Sequence, residues 1–330
     1  MPEVGEVLSE ARAICDALGN VPELFGVLRG ICNFMIVAGN VKAAEEIARQ
    51  CLAIAEETGD IAWRIESHHP LGHVLWTIGE FAAARQHLER AISLYREHDG
   101  ARLSFPTPQD PLVGCLVVIP WVLEAIDEVE AAAEARREAV AHARRLGRTY
   151  DLAYGLAWHA TQDLAHAELD RAERLNAEAS AICQANGYDT YGAVTALTDA
   201  FLRGRRGDVD TALAMAERGL AQFNKLGIRH ILGWETSQVA ELQVLRGDWT
   251  GALTTMDMAI ERTYESGERC FLSPLYRRRA EIRAMSPDAG KAEMLAEIRA
   301  DLAAALDIAT QQGATAFAAL AEARLAEWPD

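Results

Sequence analysis

The stretch LGHVLWTIGEFAAARQHLERA, Leu71 to Ala91, decides how this 330-residue chain is read. Leu71-Gly72, Leu75, Gly79, Phe81, Ala84, Leu88 and Ala91 place small and large apolar residues at helical spacing on either side of one turn. Two helices pressed together need small side chains where their backbones approach, and large ones to fill the gaps between them. The stretch therefore predicts a helix–turn–helix pair.

Working outward, glycines repeat the pattern. Gly147, Gly187, Gly227 and Gly267 recur every 40 residues, as do Gly19 and Gly59, several of them as Leu-Gly. A glycine just past a helix takes the left-handed conformation that closes its C-terminus. A second series, Gly39, Gly79, Gly207 and Gly247, falls 20 residues after members of the first, so each half-unit is one helix and a tight turn. Ala44, Ala84, Ala132, Ala172, Ala212 and Ala252 keep the same register at the start of each second helix, with a wider step only between Ala84 and Ala132. The extra residues there lie in the loop 99–111, which contains GARLSFPTPQDP; a second insertion is SPDAGK at 286–291. Insertions in helical repeats cluster on one edge and often carry function.

This ruler places inner helices near 21–38, 61–78, 110–127, 149–167, 190–206, 228–246 and 269–285. Outer helices fall near 4–18, 41–58, 81–98, 129–146, 170–186, 208–226, 249–266 and 292–312, with a capping helix at 314–327. The expected fold is all-α: a right-handed α-solenoid of about seven helix pairs forming one superhelical domain over residues 1–330. The first outer helix has no partner, which leaves an apolar face uncovered. The chain thus reads as the downstream part of a longer protein, with a self-cap or a dimer contact at that face as alternatives.

Composition narrows the partners. Acidic residues outnumber basic ones by 49 to 32, and a chain of net charge −17 repels nucleic acid and anionic membranes unless a local basic patch intervenes. Arg203, Arg205 and Arg206 form one such cluster, and Arg277, Arg278, Arg279 and Arg283 another. Cys15, Cys32, Cys51, Cys115, Cys183 and Cys270 are far apart, with no C-x-x-C, and read as buried reduced thiols. The N-terminus has no signal segment, and the longest apolar run, Leu112 to Leu123, is too short to span a bilayer. The expected setting is cytoplasmic.

Five stretches carry a more specific likeness: ESHHPLGHVLWTIGEFAAARQHLERAISLY (66–95), QDPLVGC (109–115), LGRTYDLAYGLAWHATQ (146–162), ERCFLSPLYRRRAEI (268–282) and ATQQGATAFAALAEARLAEW (309–328). In their order and spacing the chain resembles the tetratricopeptide-repeat (TPR, MalT-like) arrays found C-terminal to class III adenylate/guanylate cyclase and AAA-type ATPase modules of bacterial multidomain regulators. The resemblance covers nearly the full length. It implies a sensory or regulatory interaction array, with catalysis lodged in domains absent from this chain. The chain has no G-x-x-x-x-G-K-[ST] phosphate loop and no Asp-bearing strand pattern for the metals of a cyclase. VLEAIDEVEAA (122–132) departs from the family's Leu-Gly-Tyr turn.

Inner helices of such a stack line its concave side. Counting back from Ala84 places Glu66, His69, His73, Trp76 and Thr77 there, with His69, His73 and Trp76 on one helical face. The same count gives Arg29, Asn33 and Ile36 in the first repeat, Trp121 and Glu124 in the third, and Tyr154 and Thr161 in the fourth. It gives Phe201 in the fifth, Trp234, Ser237 and Glu241 in the sixth, and Arg277 and Glu281 in the seventh. Aromatics with a few convergent polar groups suit a peptide segment of a protein partner or a small effector, although the same residues also read as core. Binding there would shift the curvature of the stack and bias an attached or partner catalytic domain.

His68, His69 and His73 raise the question of a metal. Glu66 is the one close carboxylate, Pro70 is expected to interrupt the helix between the two groove histidines, and a zinc site wants three or four ligands. No metal or cofactor is expected. His159 and Asp199, one repeat apart, are expected to meet as a buried ion pair or hydrogen bond, and no nucleophile motif accompanies them. The reading is a non-enzymatic binding array. Its alternatives are a scaffold dimerising through a terminal helix face and a small-molecule enzyme built in the groove.

Overall fold

The computed structural model describes residues 21–328, together with Val7, Glu10, Ala13 and Ile14 of the preceding segment. The expected first outer helix, with Cys15 and Gly19, otherwise lies outside the described residues. Fifteen α-helices fill the described part, which contains no strand. They are α1 Val21–Val37, α2 Val41–Thr58, α3 Ile61–Thr77, α4 Phe81–Glu97, α5 Pro111–Ala125, α6 Val129–Leu146, α7 Thr149–Ala165 and α8 Leu169–Asn186. Then follow α9 Asp189–Arg205, α10 Val209–Leu226, α11 Leu232–Arg246, α12 Trp249–Ser266, α13 Leu272–Met285, α14 Ala292–Gln311 and α15 Thr315–Ala326. Consecutive helices pack as pairs, and the pairs stack into an α-solenoid.

Two kinds of helix alternate. Outer helices bury one stripe: α4 buries Phe81, Ala84, Leu88, Ala91, Ile92 and Tyr95, and turns its charged residues outward. The inner helices α3 and α5 have no such stripe. Of α3, everything from Ile65 to Thr77 is buried except half-buried His73, and of α5 everything except Trp121 and Glu124. A helix apolar all round needs neighbours on every side. These two helices therefore meet the outer layer on one face and other inner elements across the axis on the other.

The six ruler alanines are all fully buried. In the opening stretch, a Cβ added to Gly72 would lie 2.7 Å from Leu88 Cγ and 3.2 Å from the Ala84 carbonyl oxygen, so only glycine permits this contact between α3 and α4. Every described glycine of both series takes a positive φ. Where the second series lapses, Asp127 (φ 68°) and Ala167 (φ 60°) make the same left-handed turn without glycine. The departure in VLEAIDEVEAA thus leaves the turn geometry intact. The expected interruption at Pro70 does not occur: α3 runs through Pro70, and α5 through Pro120. A mid-helix proline costs a hydrogen bond and a steric adjustment, here offset by the burial of both helices on every side.

The stack winds far enough to meet itself. The carbonyl of Val37, at the end of α1, accepts hydrogen bonds from Arg229 N at 2.9 Å and His230 N at 3.2 Å. One repeat later the carbonyl of Thr77, at the end of α3, accepts from Arg269 N at 2.7 Å and Cys270 N at 3.1 Å. Further along the same line Phe317 of α15 packs edge-on against Phe81. A seam between the first and second turns of the superhelix results. The described cysteines, Cys32, Cys51, Cys115, Cys183 and Cys270, are free and buried. No described helix is long and apolar enough to cross a membrane.

Candidate ligand chamber

The seam draws inner-helix aromatics together at the axis. Trp234 of α11 stacks on Phe271 at 4.5 Å, Trp121 of α5 meets Phe271 edge-on at 5.4 Å, and Trp76 of α3 meets it edge-on at 5.8 Å. Edge-to-face contacts set the positive rim of one ring against the negative face of the next, so these four side chains form a well-packed plug. Beside it His73 Nε2 lies 3.1 Å from His230 Nε2, joining α3 to the loop before α11. Glu268 Oε1 accepts from His230 Nδ1 and from Ile231 N, both at 2.9 Å. A single proton bridges the His73 Nε2 and His230 Nε2 atoms. Burial, and then His230, hold the His73 imidazole well below its ordinary pKa and keep it neutral.

Next to the plug is a cavity of about 470 Å3, within the usual range for small-molecule sites. Its wall is formed by Arg29, Asn33, Ile36 and Val37 of α1, His69, Pro70, His73 and Trp76 of α3, and Val117, Val118 and Trp121 of α5. Tyr150, Tyr154 and Trp158 of α7, Tyr188 to Tyr191 at the start of α9, and His230 complete it, together with Thr107, Pro108 and Gln109 of the inserted loop.

That loop is anchored at both ends. Phe105 stacks on Tyr95, with ring planes 9° apart. Asp110 caps α5 by accepting from Leu112 N and Val113 N, accepts the Tyr95 hydroxyl at 2.8 Å, and donates its own N–H to Asp151 Oδ1 at 2.8 Å. Burial works to raise the Asp110 pKa, but hydrogen bonds from His142, Tyr95 and Val113 prevail and hold it below the ordinary value. So fixed, the loop brings the Thr107 hydroxyl to Glu66 Oε1 at 2.5 Å. The other Glu66 oxygen takes Arg29 Nε at 2.9 Å. Burial opposes the Arg29 charge, but Glu66 more than compensates and raises its pKa. Arg29 is only 3 % exposed, and its Nη1 has no partner.

Of the residues counted onto the concave side, Arg29, Asn33, Ile36, His69, His73, Trp76, Trp121 and Tyr154 line this chamber, and Glu66 stands behind it. The others lie elsewhere. The Thr77 carbonyl belongs to the seam. Glu124 pairs with Arg136 and His166, and Thr161 bonds Ala157 O and Thr198. Phe201 is core, and Trp234 is in the plug beneath the Arg278 guanidinium. Ser237 accepts from Arg278, Glu241 pairs with Arg205 and Arg278, and Arg277 pairs with Glu281. The count presumed one open surface along all repeats, whereas the seam and plug divide the interior.

Tyr150, Trp158, Tyr188, Tyr191, His230 and the loop residues were not on that count. Tyr150, Tyr154 and Trp158 share a face at four-residue spacing, and the loop broke the 40-residue ruler; both were signals. The three clustered histidines turn to three different neighbours: His68 to His87 at 2.8 Å, His69 against Gly114, and His73 to His230. Among the described residues no group of three or more His, Cys, Asp or Glu is arranged to hold a metal. His159 bonds Gln162 and Asp199 pairs with Arg203, so the two expected neighbours do not meet. All seven arginines of the two basic clusters are in ion pairs, which leaves neither cluster as an open phosphate patch.

Residues 23–97 match the tetratricopeptide repeat family. No curated protein matches the chain. Among solved structures, a Rap protein complexed with Competence and Sporulation Factor superposes with a TM-score of 0.57 at 15% identity, over 92% of this chain and 74% of that one. A signal-transduction ATPase with numerous domains and a tetratricopeptide repeat sensor, from Pyrococcus horikoshii, superposes with a TM-score of 0.50 at 11% identity, over 85% of this chain and 42% of that one. At such identities the likeness is one of fold. The chain is an α-solenoid of helix pairs, and the tetratricopeptide repeat is matched over residues 23–97.

Proposed function

We propose that this protein is a non-enzymatic TPR-type binding and regulatory array that takes up a ligand, a peptide segment or a small effector, in the chamber beside Arg29. The observation that carries this is the cavity of about 470 Å3, walled by inner-helix aromatics and bordered by the buried Arg29–Glu66 pair. The rest of the wall supplies aromatic area. The chamber touches both sides of the seam, through Val37 and His230. Occupancy would therefore favour one curvature of the stack over another, and so act on a partner or attached catalytic domain. A ligand shifts such an equilibrium only by its differential affinity for the two states, and a chamber assembled from both turns supplies that difference. The solved Rap complex and the repeat sensor of the Pyrococcus horikoshii ATPase are in keeping with this reading.

Asn33 is exposed and lines the chamber, so Asn33→Trp would fill it without disturbing the core. A fragment library screened by ligand-observed NMR should contain molecules that bind the wild type and are lost with Asn33→Trp. If every fragment that binds does so equally to both, the chamber is not the binding site.

A further inference from the structure

The class of ligand follows from the surface and the charge that the chamber offers; this step rests on the chamber reading above. The side formed by α7 and α9 is built of aromatic rings. Tyr150 meets Tyr188 and Tyr191, and Tyr191 meets Tyr154, each at 5.4 Å between ring centroids, with planes turned by 84°, 59° and 52°. Rings so turned make a cup rather than a flat stack, and half-buried Trp158 stands in the same wall. The tyrosine hydroxyls are committed. Tyr191 donates to Tyr150 at 3.0 Å, Tyr188 Oη lies 2.8 Å from Thr149 Oγ1, and Tyr154 bonds the Gln109 side chain. What this side has left to offer is ring surface.

Charge narrows the choice. Arg29 and Glu66 cancel in an ion pair at 2.9 Å, both side chains almost wholly covered. Burial keeps His69 and His73 neutral, and His230 rests on the Glu268 carboxylate. Asp189 is left over, exposed in the first turn of α9 beside Tyr188 and paired with no cation among the described residues. Whichever form His230 takes, the lining and the carboxylates bonded to it sum to a negative charge, on a chain whose net charge is −17. Such a field favours a cation. The neutral polar groups of the lining, Asn33, Gln109, Thr190 and the indoles of Trp76, Trp121 and Trp158, can bond a hydroxyl or carbonyl on a ligand of any charge, so they do not alter this balance. A primary ammonium brings three N–H donors that each need an acceptor, and the tyrosine hydroxyls are taken. An alkylated ammonium has no such need: its methyl groups rest on ring faces, which attract the charge.

We propose that the chamber binds a compact quaternary ammonium compound, with the alkylated nitrogen against the rings of Tyr150, Tyr188, Tyr191 and Trp158 and its charge balanced by Asp189.

The test compares three molecules that share a hydroxyethyl group: choline, its neutral isostere 3,3-dimethyl-1-butanol, and ethanolamine, titrated by ligand-observed NMR at neutral pH and low salt. The wild type should bind choline at least about tenfold more tightly than either of the others, the difference expected when a desolvated cation rests on more than one aromatic face. Asp189→Asn, an exposed substitution that leaves the packing alone, should weaken choline about threefold and leave 3,3-dimethyl-1-butanol unchanged. Tyr188→Leu should weaken choline about fivefold, and Asn33→Trp should abolish its binding. Equal binding of choline and 3,3-dimethyl-1-butanol overturns the cation class while leaving the chamber as a binding site. Preference for ethanolamine overturns the alkylated nitrogen. Choline binding that survives Asn33→Trp, or failure of all three to bind, overturns the quaternary ammonium assignment, and the chamber is then judged by the fragment comparison alone.

Discussion

Glu235 offers a stringent test of the packing, because the expected effect is a gain. It lies in the first turn of α11, 3 % exposed, and burial alone pushes its carboxyl from 4.5 up to about 8. The folded chain therefore keeps a proton that the unfolded chain releases between those two values, and stability falls as pH rises through that window. At about 1.4 kcal/mol per unit of difference, the cost is about 1 kcal/mol at pH 5, about 3 at pH 7 and between about 4 and 5 at pH 8.5. Glu235→Gln has the same shape and no proton to lose. Its stability relative to the wild type should rise by about 2.5 kcal/mol between pH 5 and pH 7. Urea unfolding of both proteins at several pH values from 5 to 8.5 measures this, and taking the difference cancels every other titrating group. A difference that stays constant with pH, or a wild type more stable than the variant at pH 8, would refute the claim that Glu235 is buried uncharged.

Three further outcomes are expected. Ala167→Gly should raise thermal stability by roughly 0.5–1 kcal/mol, because a non-glycine residue in the left-handed region costs about 1–2 kcal/mol and glycine returns part of that to unfolded-chain entropy. Asp110→Ala removes the cap of α5 and the acceptor of the Tyr95 hydroxyl, and should cost about 2–4 kcal/mol in chemical denaturation. Burial lowers His69 from 6.5 to about 3 and His159 to about 4. The unfolded chain therefore takes up protons first, and stability is lost as pH falls below about 6.5, by about 2 kcal/mol per ring at pH 5. Glu235→Gln, free of the opposing carboxyl, is the background in which to measure it.

The periodicity of the chain made the helix pairs legible. Gly72 and Ala84 announced the contact between α3 and α4, and the ruler glycines mark real left-handed turns. Where glycine was missing, at Asp127 and Ala167, backbone geometry held because the flanking helices were already paired. The chamber was half legible. Arg29, His73, Trp76 and Tyr154 emerged from counting along helices, since a local period reports which face of a helix turns inward. It does not report how steeply the stack winds. That angle brings His230 against His73 across 157 residues, fills the axis with Trp234 and leaves Glu241 and Arg277 in ion pairs. Pitch is a sum of small rotations at every interface, and no motif records it.

The seam also changes what kind of folding problem this chain poses. An open solenoid is nearly one-dimensional: each repeat senses only its neighbours, and the ends fray independently. Here the Val37 carbonyl waits for Arg229, roughly 190 residues downstream, and closing that loop costs about 1.4 kcal/mol more entropy than closing a 40-residue one. Contacts so remote in sequence raise contact order and slow the final docking. Once made, they tie the first turn to the second, so α1 and α11 open together or stay shut together. A repeat protein of this shape gives up piecemeal melting for the cooperativity of a globular domain.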